Sequence, residues 1–379
     1  MSRVRSRTPR ELEVARTSVE HRRKSPELKK DLSPRRSPPT VEARRLAELA
    51  MAAGFGASAD DLILRSDRES LAMLGADDDS PLLADVLRWQ GSVLRDRGQT
   101  TDAENLYKRS LAVAKKLNYE AGHSHALNCL GSVAQRRGDL PAASKFFHDA
   151  QRIAEECGEG RLAGMIQQNL GVVADIVGDS ESAFSYYHAS LDAFESTHDT
   201  QAMTLVLNNL GVLLFKGGRL EEARSSYDRA LTLARYRGDL LSEGVIEQNV
   251  GELELQRGQL GAAGPSIDRA LEIAELRQDK LRRAAALKLR GESLRLAGHP
   301  SDALDPLRTA MTLSAVAEDA LLGGEVMYEC GLALADTGDL LAARQSWTAA
   351  LDAFERIGAG DWIARVRSLL ADGGPRERM

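Results

Sequence analysis

"LNNLGVLLFKGGRLEEARSSYDRALTLARYRGD", residues Leu207 to Asp239, reads as two helices about a tight turn. Leu207, Leu210, Leu213 and Leu214 share one face of a helix over roughly 201–216. Ala223, Tyr227, Ala230, Leu231 and Ala234 share a face of a second, over roughly 220–236. Gly218 stands where a left-handed residue closes the first helix. Gly211 is the anomaly: it lies inside the first apolar run, where glycine costs about 1 kcal/mol relative to alanine. Packing must offset that cost. The expectation is that helix A approaches a neighbouring helix closely at Gly211, and that the bulky Tyr227 fills the gap between successive units.

The stretch is one of seven. Glycine recurs at a constant step of forty, at Gly91, Gly131, Gly171, Gly211, Gly251, Gly291 and Gly331. Gly98, Gly138, Gly178, Gly218, Gly258, Gly298 and Gly338 follow in the same rhythm, two helical turns behind. Ala103, Ala143, Ala183, Ala223, Ala263, Ala303 and Ala343 form a third series. Tyr107, Phe147, Tyr187, Tyr227, Ile267, Leu307 and Trp347 form a fourth, bulky one. Four series in one register mark a solenoid rather than chance. No strand-like alternation accompanies them, so the expected fold class is all-α, a solenoid of helix-turn-helix repeats.

The order Leu210, Gly211, Gly218, Ala223, Tyr227, Ala230 resembles the signature of the tetratricopeptide repeat. The usual unit has about 34 residues and often ends in proline. This one, at forty, is longer and lacks the proline, so it is similar to the long-repeat subfamily of polarity scaffolds. It also resembles the sensor modules of some large bacterial transcription activators. The resemblance covers about residues 81–371 and implies a right-handed superhelix with the A helices on the concave side. It says little of function, because family members bind unrelated partners.

The expected organisation follows from these repeats. Residues 1–40 form a disordered basic arm, and 41–80 a worn N-terminal repeat, since Ser70-Leu71-Ala72 echoes Ser110-Leu111-Ala112. Seven units fill 81–359. "DWIARVRSLL", within 360–371, is a lone capping helix of the kind that covers exposed solenoid core. Residues 372–379 form a disordered tail.

The arm carries 12 Lys/Arg against 5 Asp/Glu, a net of +7, which leaves −13 on the remainder of a chain whose net charge is −6. It also holds five of the eleven prolines, a composition that opposes a packed element. Four Ser/Thr-Pro pairs, at Thr8, Ser25, Ser33 and Ser37, fit linker chemistry or proline-directed phosphorylation. At ~35 Å average span the arm reaches the acidic late groove described below, so an intramolecular contact is a candidate use. Nucleic acid is disfavoured because no aromatic interleaves the charges. "TPRELEV" resembles the start of a bacterial helix-turn-helix domain, but the segment after it lacks that domain's apolar helix and turn glycine. Cys129, Cys157 and Cys330 are too few and scattered for a disulfide framework, which fits a cytoplasmic location. No apolar run reaches membrane-spanning length, so no membrane is expected among the partners.

The resemblance places concave positions at −6, −3, −2, +1 and +4 from each helix A glycine. At −3 stand Arg88, Asn128, Gln168, Asn208, Gln248 and Lys288; at −2 stand Asn169, Asn209 and Asn249. An amide both donates and accepts, so such a row suits a peptide backbone in either direction. The same amides also suit bridges between adjacent repeats. Val172, Val212 and Phe215, with Leu255 and Leu332, supply apolar contacts. Early units offer Arg88, Arg95, His125 and Arg136. Late units offer Glu252, Glu292, Glu325, Glu329 and Asp336. A bound segment is thus expected to lay its basic part over units 5–7, charge setting its orientation. The carboxylate clamp of chaperone-binding relatives is not expected, since Lys288 is followed by Glu292.

Phosphate-loop and nucleophile-elbow motifs are absent. His123, His125 and Cys129 lack a fourth metal ligand. The chain therefore reads as a non-enzymatic scaffold that needs no cofactor and holds a protein or peptide in its groove. The alternative is a sensor or regulatory module of a bacterial-type signalling or transcription-control system.

Overall fold

The structure is a computed structural model, and it describes residues 80–372. The expected basic arm, the worn first repeat and the tail after 372 lie outside the described residues. Those residues form fifteen helices and no strand. They pair as α1 (Pro81–Asp96) with α2 (Thr100–Lys116), α3 (Glu120–Arg136) with α4 (Leu140–Glu156), and α5 (Gly160–Ile176) with α6 (Ser180–Ser196). Next come α7 (Thr200–Lys216) with α8 (Leu220–Arg237) and α9 (Leu240–Gln256) with α10 (Leu260–Leu276). Then follow α11 (Lys280–Leu296) with α12 (Pro300–Val316), α13 (Ala320–Asp336) with α14 (Leu340–Ile357), and the unpaired α15 (Gly360–Asp372). This is an all-α, right-handed solenoid. Successive odd-numbered helices touch one another, whereas successive even-numbered ones stay farther apart. The odd helices therefore line the inner side of the curve.

The glycine and bulky series turn out to be partners. A β-carbon placed on Gly171 would lie 2.7 Å from ring carbons of Tyr187, and one on Gly251 2.8 Å from Ile267. Gly211 stands in the same relation to Tyr227, and Gly331 to Trp347. Each glycine is thus a socket for the large side chain of its own hairpin. The expectation of a ring lodged between successive units is corrected to a ring lodged within one. Tyr227 is 1% exposed and Trp347 fully buried. Full burial of such a side chain contributes roughly 2–3 kcal/mol, more than the propensity lost at the glycine.

The turns obey local chemistry. Gly218 adopts φ +73°, and the Arg219 N–H bonds back to the Leu214 carbonyl at 2.9 Å, closing α7. Asp199, Asp239, Asp279 and Asp319 each cap the following helix by accepting a backbone N–H.

One unit departs from the apolar rule. In α9, Glu243, Glu247 and Glu254 are buried at the positions that Met203, Leu207 and Leu214 hold in the preceding unit. Arg224 of α8 meets Glu254 at 2.6 Å, and Arg269 of α10 meets Glu243 at 3.0 Å. Arg235 of α8 pairs with Glu247 and reaches Glu243 at 3.4 Å. Burial works against the charge on Glu243, but Arg269 and Arg235 outweigh it and hold the carboxyl below its ordinary range. A cavity of about 430 Å³ opens among Arg224, Arg235, Pro265 and Arg269. The apolar core is interrupted here: one cluster runs from Ala174 to Leu253, and a small separate one gathers Leu255, Ala263, Ile267 and Leu289.

Candidate functional site

Register fixes what the inner surface presents. The odd helices are nearly equal in length, apart from the shorter terminal α15. The constant period therefore stacks equivalent side chains into rails that run from unit to unit.

The amide rail runs through units 2 to 5, and part of it is consumed internally. Asn169 of α5 donates through Nδ2 to Oδ1 of Asn128 at 2.9 Å. Asn249 of α9 donates to Asn208 of α7 at 2.8 Å. Both bonds join position −3 of one unit to position −2 of the next. Asn128 is 5% exposed, so its side chain acts mainly as this bridge. Gln168, Asn209 and Gln248 are half-buried and form no side-chain hydrogen bond to the described residues. Val172, Val212 and Phe215, all partly buried, rest against the central core cluster and line the rail's edge.

Arg88, at the start of the inner face, is held by Asp85 at 3.1 Å, and its Nε is buried with no hydrogen-bond partner among the described residues. His125 lies beside it. Burial, aided by Arg88 and Arg161, pushes its imidazole down to about 3, so it is neutral at physiological pH. Arg95 and Arg136 both turn to Asp96, at 2.9 and 3.8 Å. The early cations thus have carboxylate neighbours of their own.

The late units build a cavity of about 660 Å³ between α9, α11, α13 and α15. Phe215, Leu255 and Leu296 supply apolar wall, and Glu252, Lys288, Glu292, Glu325 and Glu329 supply charge. Two of its carboxylates are matched within the chain. Lys288 binds Glu325 at 2.5 Å, and Arg295 binds Glu329 at 3.2 Å while also reaching Asp336 at 3.6 Å. Burial opposes the charge on Lys288, but Glu325 and Glu252 more than restore it, so its ammonium is held above its ordinary value. Glu252 and Glu292 have no ion pair among the described residues. Burial raises the Glu292 carboxyl to about 7, with Glu329 adding repulsion. Burial likewise raises Glu252. The late groove is therefore not a uniform acidic face. It is a nearly balanced ionic layer with two carboxylates left over.

The terminal helix contributes two further residues that the sequence reading did not single out. Trp362 and Arg365 of α15 line the same cavity. The Trp362 indole stacks on Phe354 with ring centroids 5.1 Å apart and meets Tyr328 edge-on at 5.3 Å. Arg365 lies over that indole at 4.8 Å and forms no ion pair among the described residues. The signal was present in the register, since Trp362 stands in the column of Leu162, Ala202 and Leu322, but α15 read as a cover rather than a wall.

No cluster of three or more metal-binding side chains occurs among the described residues. No helix among them is long and apolar enough to cross a membrane.

Two family models described as tetratricopeptide repeat match the chain, one over residues 122–196 and the other over 91–118 and 205–235. No curated protein matches it. Among solved structures, the chain is similar to the apo form of the quorum sensor NprR from B. thuringiensis. The identity is 14% and the TM-score 0.65, covering 91% of this chain and 93% of that one. It is also similar to a signal-transduction ATPase with a tetratricopeptide repeat sensor from Pyrococcus horikoshii. There the identity is 14% and the TM-score 0.63, over 90% of this chain and 50% of that one. A third is the Rap conjugation gene regulator of the plasmid pLS20 in complex with the Phr* peptide, 13% identical with a TM-score of 0.57. That match covers 85% of this chain and 96% of the regulator. At these identities the likeness is one of fold.

Proposed function

We propose that this tetratricopeptide repeat protein does no chemistry of its own and holds an extended peptide or a helix of another protein along its inner face. The observation that carries the reading is the amide rail. Gln168, Asn209 and Gln248 keep both donor and acceptor uncommitted to the described residues. Asn169 and Asn249, pinned by their neighbours at 2.9 and 2.8 Å, are pre-oriented. A peptide backbone supplies complementary groups at regular spacing, and pre-set partners reduce the ordering cost of binding it. Val172, Val212 and Phe215 give apolar footing for alternate side chains of the guest.

The regulatory reading is supported by the full-length likeness to a quorum sensor and to a peptide-bound Rap regulator. In that reading the guest is a short signalling peptide rather than a segment of a larger protein. Both readings use the same rail. A library of random dodecapeptides with free carboxy termini, panned against the full chain and against Asn209→Ala/Gln248→Ala, tests it. Enrichment that disappears in the double variant is expected. Equal enrichment on both proteins removes the groove assignment. A scaffold is separated from a peptide sensor by whether the selected sequence binds better when embedded in a folded host or when free.

A further inference from the structure

The cavity at the end of the rail holds three charged groups outside any ion pair among the described residues, two acidic and one basic. Glu252 and Glu292 form no ion pair among the described residues, although Lys288 acts on both from a distance, and Arg365 forms none either; all three line the same 660 Å³ space. Their neighbours are already matched: Lys288 with Glu325 at 2.5 Å, Arg295 with Glu329 at 3.2 Å. The chain thus satisfies the charges that flank the cavity and leaves an acid pair on α9 and α11 facing a base on α15. A simple cation would use only the carboxylates. A simple anion would meet Arg365 and be repelled by the two glutamates. A group bearing both charges uses all three, and Trp362, stacked on Phe354 with Arg365 over its indole at 4.8 Å, adds apolar lining beside the base.

We propose that this cavity is a pocket for a basic residue carrying a free carboxylate. Its ammonium or guanidinium lies between Glu252 and Glu292, and its carboxylate meets Arg365 beside Trp362. The chemistry is that of a peptide ending in arginine or lysine, or of the free amino acid. The inference rests on the reading of the inner face as a guest groove, and it adds direction: the guest's carboxy terminus lies over α15. The matched pairs serve as walls. Lys288 and Arg295 already claim Glu325 and Glu329, which leaves Glu252 and Glu292 as the carboxylates open to a guest cation.

The test uses the full chain and small probes, with Trp362 fluorescence and titration calorimetry as readouts. The probes are acetyl-tetraalanyl-arginine as the free acid, its carboxamide, L-arginine, and agmatine, which is arginine without its carboxylate. The free-acid peptide should bind at least ten-fold tighter than the carboxamide. Arg365→Met should abolish that preference, and Glu292→Gln should weaken both forms about ten-fold while thermal melting shows the variants folded. If L-arginine binds as tightly as the acid peptide and agmatine does not, the pocket stands and the free amino acid is its ligand. Equal affinity for acid and amide overturns the proposal, as does the absence of binding by every probe at millimolar concentration. The random-peptide selection separates the two readings. Guests that need Asn209 and Gln248 but show no basic carboxy terminus leave the groove intact and remove this pocket.

Discussion

The Asn249 side chain donates to Oδ1 of Asn208 over 2.8 Å, tying the inner helix of the fifth unit to that of the fourth. Asn209, one residue away, makes no such bond to the described residues. The two neighbours therefore separate stability from binding. Asn208→Ala should lower unfolding free energy by about 1 kcal/mol, the usual worth of a partly buried hydrogen bond. Asn209→Ala should stay within about 0.5 kcal/mol of wild type, since its side chain has no hydrogen bond to the described residues to lose. Selected peptides should lose affinity with Asn209→Ala. Urea melts beside peptide titrations decide it, and a large stability loss at Asn209 would contradict the assignment.

Gly211→Ala sets a helix-propensity gain of about 1 kcal/mol against collision with the Tyr227 ring. Overpacking of this kind costs about 1–3 kcal/mol, so the variant should be less stable despite the better helix former. Tyr227→Leu in the same chain should recover part of the loss. A double-mutant cycle with additive effects would show that the socket does not act as described.

Glu292 gives the protein a pH-dependent cost. Its carboxyl is raised to about 7 by burial first and by Glu329 second, against the pull of Lys288 and Arg295. Glu325 of α13 and Glu252 of α9 also face it, with Arg365 across the cavity. Because the folded value lies above the unfolded one, the native state holds the proton more tightly. The resulting stabilisation is fully present below about pH 4.5 and is lost as pH rises through 7. Glu292→Gln should therefore be the more stable protein at pH 8, by roughly 2–3 kcal/mol at most, with the difference fading at pH 4–5. Denaturant melts across that range check the sign. Binding of a basic guest should run the other way, tightening as Glu292 ionises.

The repeat was legible because packing recurs with the chain's period: one socket and one ring per hairpin put Gly211 and Tyr227 at a constant separation. Inner-face positions were legible by the same register. How those positions would be spent was not. The Asn169–Asn128 and Asn249–Asn208 bridges span 41 residues, one more than the period, so they join unlike positions and no single column reveals them. Glu325 and Glu329 read as open acids because Lys288 and Arg295, 37 and 34 residues earlier, sit in other columns. Glu243, Glu247 and Glu254 escaped notice for a different reason. A glutamate in a helix is usually solvated, and only the third dimension shows that arginines from the flanking helices close over these three.

Those three glutamates make a direct prediction. Glu254 is 3% exposed, and its partners Arg224 and Arg257 come from two sides at 2.6 and 3.2 Å. Removing Arg224 alone, as Arg224→Met, should destabilise by about 1–2 kcal/mol, below the usual cost of breaking a buried pair because Arg257 remains and the arginine is partly exposed. Glu254→Leu restores the side chain of the preceding unit and should be neutral or stabilising. Thermal melts of the two variants read the contrast, and a strongly destabilising Glu254→Leu would show that the carboxylate, not mere filling, is required.

An array of hairpins shares its cohesion only between neighbours, so a weak joint anywhere divides it. At α9 the joint combines apolar contacts of Ile246, Val250 and Leu253, which kosmotropic salt tightens, with the buried glutamate–arginine pairs, which added salt slackens. Sulfate should therefore stiffen this joint less than the wholly apolar ones before it, and the spine has its readiest place to flex there when a guest draws its two ends together.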